Sequence, residues 1–261
     1  MARTRREVLH WPAVIRELTV ADVIDVTPTL RRIILTGDEL REFAVEGGTA
    51  AAYQSQGFDD SVKVLVPFAN DERPPLPVQG PDRLEWGAAG GRPIAKDYTP
   101  REFSGDSLAL EFVRHGHGFA STWVEDVKPG SLTWIVGPTR SSLWPRNIDA
   151  AVMFADETAL PAIARLLAQW PADREVPTTI VVDVPSEASI LDMPVPDGVA
   201  VTWVHGRDAW VAASRDVPWP TGDVFTWIAG EAGAVRAIRQ FVTSERGVPR
   251  DLLDATGYWR A

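Results

Sequence analysis

The hexapeptide K-D-Y-T-P-R, Lys96 to Arg101, sets a phenol (Tyr98) beside a second hydroxyl (Thr99) and brackets both with cations, Lys96 and Arg101. Pro100 fixes the backbone between Thr99 and Arg101 and removes one amide donor. In an extended segment Lys96, Tyr98 and Pro100 point to one side, and Asp97, Thr99 and Arg101 to the other. At a strand end beside a proline that separation relaxes. A flat ring could then lie on Tyr98, bond to Thr99 and set a phosphate near a cation. A flavin nucleotide makes those three demands. The same six residues are equally consistent with an edge strand that ends in a charged turn.

A second stretch, H-G-H-G-F-A-S-T-W, runs from His115 to Trp123. Its small residues follow a strand and let backbone approach a ligand closely. Ser121 and nearby amides could start a short helix over about 121–127, whose N-terminus would attract a pyrophosphate. A tight glycine turn followed by a helix cap explains the same pattern. His115 and His117 are two apart, but no third ligand is near and glycines flank His117, so no metal site is expected.

Both stretches need elements to hold them. Residues 15–26, 30–35, 61–67 and 108–115 and 132–136 read as strands, and the Lys96 stretch makes a sixth. A short helical turn is expected from Asp38 to Phe43, loop over 47–60, and a proline- and glycine-rich loop or flap over 70–91. About six short strands with little helix predict a small antiparallel barrel. The texture changes near Asn147. Apolar runs at 151–155, 178–184, 199–205 and 224–229 read as buried strands, helices are expected over 160–170 and 233–245, and 256–259 makes a last strand. Strands alternating with helices predict a parallel α/β sheet, whose ligands bind beyond the carboxyl ends of the strands. Asp156 to Pro161 and Gly230 to Gly233 lie at such junctions, and no G-x-G-x-x-G is present. The expected division is residues 1–146 and 147–261.

Composition narrows the chemistry. The chain has 261 residues, 45% hydrophobic and 24% charged, enough for one large or two ordinary domains. It has no cysteine, which excludes disulfides, iron–sulfur ligation and thiol nucleophiles. A formal net charge of −10 argues against nucleic acid as a partner. The basic start at Arg3, Arg5 and Arg6 leads into His10, Trp11 and Pro12 instead of an apolar core, so no secretory signal is expected. No run of apolar residues is long enough for a membrane span, and a cytoplasmic location is expected.

The ordered motifs carry a resemblance over nearly the whole chain. Leu18 to Val20, Val26 to Arg32, Gly37 to Leu40 with Phe43, and Gly57 to Lys63 look like the opening of the siderophore-interacting protein family. So do Tyr98-Thr99, the loop from His115 to Ser121, and D-E-T-A-L-P-A-I-A-R from Asp156 to Arg165. Gly230 to Ala232 with Arg236 and Arg239, and Gly257 to Arg260, complete the set. The family resembles ferredoxin–NADP reductase. It consists of FAD-dependent ferric-siderophore reductases with an FAD-binding barrel followed by an α/β NAD(P)H-binding-like domain.

The resemblance implies FAD as cofactor, with NADH or NADPH as donor and ferredoxin as another. It implies a ferric siderophore as substrate and catalysis without a side-chain nucleophile. Tyr98 and Thr99 would face the isoalloxazine. Lys96, Arg101 and the loop residues His115, Gly116, Gly118, Ala120 and Ser121 would hold the phosphates. Asp156, Glu157, Thr158 and Ala159, with Glu231, would border the nicotinamide or substrate side, and Tyr258 and Trp259 would cover the flavin or pack nearby. Two departures stand out. Lys96 replaces the usual arginine and loses its planar fork, and Phe119 replaces the usual proline. A charge-assisted hydrogen bond is worth roughly 1.5–3 kcal/mol, so the first change would lower FAD affinity without abolishing it. The competing readings are a flavin-poor siderophore-binding protein without turnover, and a general flavin reductase with another acceptor.

Overall fold

The computed structural model describes residues 5–66, 73–80, 84–85, 93–114 and 119–261, with only the backbone of residues 119 and 120. His115, Gly116, His117 and Gly118 therefore lie outside the described residues, as does much of the 70–91 stretch. Contacts divide the chain into two units, residues 8–142, and residues 5–7 together with 143–261.

The first unit is a curled antiparallel sheet. Its strands are β1 (Ile15–Thr27), β2 (Leu30–Thr36), β3 (Val62–Val66), β4 (Ile94–Tyr98), β5 (Pro100–Phe103), β6 (Ser107–Val113) and β7 (Leu132–Val136), in the order β5-β6-β2-β1-β7-β3-β4. The two outermost strands, β4 and β5, are consecutive pieces of one segment, separated by Thr99 alone. The sheet thus curls until its two edges are joined by the chain itself, and the expected sixth strand is a bent one. Alternation sends Leu18, Val20, Ile33, Val62, Leu110 and Phe112 inward to a common core. Arg16 points the same way and plugs the barrel's end. Its guanidinium donates to Glu39 O (2.6 Å) and Ala51 O (2.7 Å), and burial pulls its pKa down to about 10. The helical turn expected over 38–43 is shorter, Asp38–Leu40, and a small hairpin of Phe43–Val45 with Gly48–Ala50 occupies part of the expected loop.

The family-like G-F-D-D turn has a structural reason. Asp60 accepts from Ser55 Oγ (2.9 Å), Gly57 N (3.1 Å) and Ser141 Oγ (2.6 Å). A Cβ on Gly57 would stand 2.7 Å from the backbone oxygen of Ser142, which has no freedom to step aside. Gly57→Ala is expected to destabilise the chain by about 1–3 kcal/mol, read as a lower urea midpoint at unchanged slope.

The second unit is a parallel sheet. Its strands are β8 (Ala150–Asp156), β9 (Thr178–Asp183), β10 (Val199–Val204), β11 (Val224–Glu231) and β12 (Leu253–Trp259), in the order β10-β9-β8-β11-β12. All residues of β8 and β11 are buried, which explains their unbroken apolar runs. Helices α2 (Leu160–Ala168), α3 (Arg207–Asp216) and α4 (Ala232–Ser244) cross over, α1 (Phe119–Asp126) belonging to the first unit. Gly230 and Glu231 end β11 instead of following it, and β12 starts at Leu253, three residues ahead of expectation. Residues 5–7 join this unit through Arg6, which is almost wholly buried, donates to Leu143 O (2.9 Å) and pairs with Asp254 (3.0 Å).

Candidate functional site

The barrel's seam builds the first group. Tyr98 pairs with Val62 at the end of β4 and its ring packs against the core, while the register of β5 on β6 shifts between Pro100 and Glu102, so strict alternation does not run through Arg101. The Tyr98 ring packs on Phe112 at 4.1 Å, and Phe112 in turn on Trp123 of α1 at 5.6 Å. This row of rings brings the Tyr98 stretch and the Ser121 helix together. Burial pushes the Tyr98 phenol up to about 12, so it offers a neutral ring and a donor, never a phenolate, at physiological pH. Thr99 is buried.

Arg101 sits within a charge cluster that local patterns did not reveal. Arg32 on β2 faces Glu111 on β6 and donates to its Oε1 from Nε (2.9 Å) and Nη2 (2.5 Å). Arg101 Nε lies 3.9 Å from the same oxygen. Glu111 has no exposed side chain, and neither Arg101 Nε nor Glu111 Oε2 has a hydrogen-bond partner among the described residues. Burial pulls the Arg101 guanidinium below its usual value, Glu111 opposes that, and Arg32 adds to it. Two guanidiniums thus face one buried carboxylate, and the adjacent Glu102 acts on Arg101 as well. Only register knowledge, Glu111 opposite Arg32, would have revealed the cluster from sequence.

Helix α1 starts at Phe119, so Ser121 is its third residue and not its cap. Its C-terminal half is pinned. Arg31 donates to Val124 O (2.9 Å) and Arg114 pairs with Glu125 (2.6 Å). The start of the helix is the end that carries the positive dipole. Lys96 is exposed on β4, while its neighbour Asp97 pairs with Lys63 (2.9 Å). Lys96 has no ion pair among the described residues.

The carboxyl ends of the parallel strands build the second group. Asp156 ends β8. Its Oδ1 accepts from Thr158 N (2.9 Å) and Thr158 Oγ1 (2.6 Å), and its Oδ2 from Glu231 N (2.7 Å) and Trp259 Nε1 (2.8 Å). One buried carboxylate therefore ties the ends of β8, β11 and β12. Burial pushes it up, against the four donors that pull it down. Gly230 has φ +152°, and a Cβ there would stand 2.5 Å from that carboxylate. Glu231 caps α4 through Ala234 N (2.9 Å) and pairs with Arg207 (3.3 Å). The donors around it hold its carboxyl below the usual range, chiefly the Gly233 amide. Glu157 and Ala159 are buried, Thr158 half-buried, and Tyr258 and Trp259 exposed. Among the described residues no group of metal-ligating side chains forms.

Residues 19–142 match the family model described as siderophore-interacting FAD-binding domain, and residues 148–261 that of siderophore-interacting protein. A siderophore utilization protein from T. fusca superposes with a TM-score of 0.84 at 32% identity, covering 98% of this chain and 96% of that one. The chain belongs to the siderophore-interacting protein family. Two curated relatives of the family are similar. The NADPH-dependent ferric-chelate reductase of Escherichia coli is 32% identical over 153 residues, 58% of this chain and 56% of that protein, so the match spans just over half of that relative. A ferric vibriobactin reductase of Vibrio cholerae is 25% identical over 246 residues, 90% of this chain and 85% of that protein.

The family's cofactor can be tested against the residues present. FAD is a flat aromatic system on an anionic pyrophosphate. The barrel offers a neutral aromatic ring, a buried hydroxyl beside it, and two guanidiniums of which Arg101 keeps a buried donor without a partner among the described residues. The residues fit. Among the described residues no helix is long and apolar enough to cross a membrane.

Proposed function

We propose that the chain is an FAD-dependent ferric-siderophore reductase, carrying electrons from NAD(P)H, with ferredoxin as a second possible donor, to a ferric siderophore in the cytoplasm. The observation that carries this reading is the cluster of Arg101, Arg32 and Glu111 beside Tyr98-Thr99, within the stretch matched to an FAD-binding domain. Tyr98 would orient the isoalloxazine and Thr99 bond its edge. Arg101, Arg32 and the first turn of α1 with Ser121 would hold the phosphates. Bound FAD would accept a hydride from a nicotinamide and deliver single electrons to Fe(III).

The protein's own part is position and charge. Hard oxygen ligands grip Fe(III) more tightly than Fe(II), so reduction loosens the chelate and releases the metal. No side chain needs to attack the siderophore. The saturated Asp156 carboxylate serves as a strap across three strand ends and keeps the rim of the sheet in shape.

The test begins with flavin content. Protein incubated with FAD and desalted is expected to keep a visible flavin band. Arg101→Ala should weaken FAD binding by about tenfold to a hundredfold, the value of one charge-assisted hydrogen bond. Tyr98→Ala should weaken it as well. Colourless wild-type protein would leave a siderophore binder without turnover. A coloured protein that reduces free flavin but no ferric siderophore would be a general flavin reductase.

A further inference from the structure

In a parallel sheet of this order the strand order reverses between β8 and β11, and a nucleotide lies beyond the carboxyl ends with its adenosine ribose toward the end of the second strand. Here that second strand is β9, and it ends in Asp183. An acidic residue at this place accepts a hydrogen bond from a ribose 2′-hydroxyl, whereas a nearby arginine accommodates a 2′-phosphate.

Both residue types are present, and the structure separates their roles. Asp183 Oδ1 accepts from Gly206 N (2.6 Å), which fixes the carboxylate between the ends of β9 and β10. It is half-buried, and Asp156 adds further negative potential from the neighbouring strand. The first arginine after Asp183, Arg207, is engaged elsewhere. Its Nε pairs with Glu231 at the end of β11 (3.3 Å), and its guanidinium lies against Gly233. His205 holds Val184 O through Nδ1 (3.1 Å). From Val184 to Gly206 the chain adds Glu187, Asp192 and Asp197 and no arginine or lysine. A 2′-phosphate at the end of β9 would meet a fixed carboxylate with its counter-cation committed elsewhere.

We infer that this chain takes NADH and rejects the 2′-phosphorylated nucleotide, with Asp183 as the residue that tells them apart; this rests on the nicotinamide-dependent reading above. Asp183 touches the donor's ribose and no reacting atom, so it sets specificity. The E. coli relative is named for NADPH, so the two chains differ in donor on this account.

The experiment is a calorimetric titration of the full chain with NAD⁺ and NADP⁺, alongside Asp183→Asn. Asparagine keeps an oxygen for Gly206 N and removes the charge. Wild type is expected to bind NAD⁺ at least about tenfold more tightly than NADP⁺, the scale of one close like-charge contact near a protein surface. Asp183→Asn should shrink that ratio by about tenfold, mainly by tightening NADP⁺. Equal or tighter NADP⁺ binding by wild type overturns the inference while leaving the nicotinamide reading intact. An unchanged ratio in a folded Asp183→Asn variant overturns the role of Asp183. If wild type binds neither nucleotide, the nicotinamide reading itself fails and the inference with it.

Discussion

Glu111→Gln lowers the urea midpoint of the chain, at a cost of about 2–3 kcal/mol. Glutamine keeps the size of the side chain and an oxygen for Arg32, so the loss isolates the charge. In the native cluster one unexposed carboxylate faces two guanidiniums. Without it Arg32 and Arg101 repel each other in a partly dry site. Removing one partner of a buried pair costs about 3–5 kcal/mol, and the exposure of Arg32 to water trims that figure. The same change should make the site hungrier for anions. Inorganic pyrophosphate is expected to raise the midpoint more in Glu111→Gln than in wild type, because binding to the folded state alone is stabilising. A variant as stable as wild type, or one indifferent to pyrophosphate, would refute the electrostatic account of the cluster.

Asp156→Asn comes next in size, at about 2–4 kcal/mol, despite being nearly isosteric. All four groups around the carboxylate are donors: Thr158 N, Thr158 Oγ1, Glu231 N and Trp259 Nε1. With its NH₂ at the Oδ2 position the amide confronts two N–H donors, and with its NH₂ at the Oδ1 position it confronts Thr158 N while the Thr158 hydroxyl turns to accept. Each unmet buried donor costs about 1–3 kcal/mol, and neighbouring losses do not simply add. The indole N–H resonance of Trp259 should move as its acceptor is lost, locating the damage at the rim of the sheet. A change within about 0.5 kcal/mol, as for an ordinary surface substitution, would mean that the strap is dispensable.

Much of the architecture was readable from the sequence because it is written in short-range pattern. The unbroken apolar runs of β8 and β11 reflect burial on both faces, whereas the alternating sequence of β6 conceals that Ala109 and Glu111 are buried along with Leu108, Leu110 and Phe112. Helix α3 escaped notice because Trp210 is its one large buried apolar side chain, too little for a visible stripe. The bend at Thr99 was signalled by Pro100, but the joining of the sheet's edges there depends on the order of strands across the whole barrel. Of the site, Tyr98, Thr99 and Arg101 stood out by type. Their partner Glu111 did not, because it looks like any solvent-facing residue of an alternating strand until its register with Arg32, 79 positions away, is known. The strap at Asp156 was recognised as a motif, yet its link to Trp259 spans 103 positions and leaves no local trace.

Residues 5–7 also carry a consequence for biosynthesis. Arg5 bonds to Asp251 and pairs with Asp223, and Arg6 seals Asp254, so these charges are answered by partners 218 to 248 positions later. The barrel, bounded by residues 8–142, has its whole sequence in hand long before release. The α/β unit holds both an early and a late portion of the message, and it cannot close around residues 5–7 until residues 251–254 have been made.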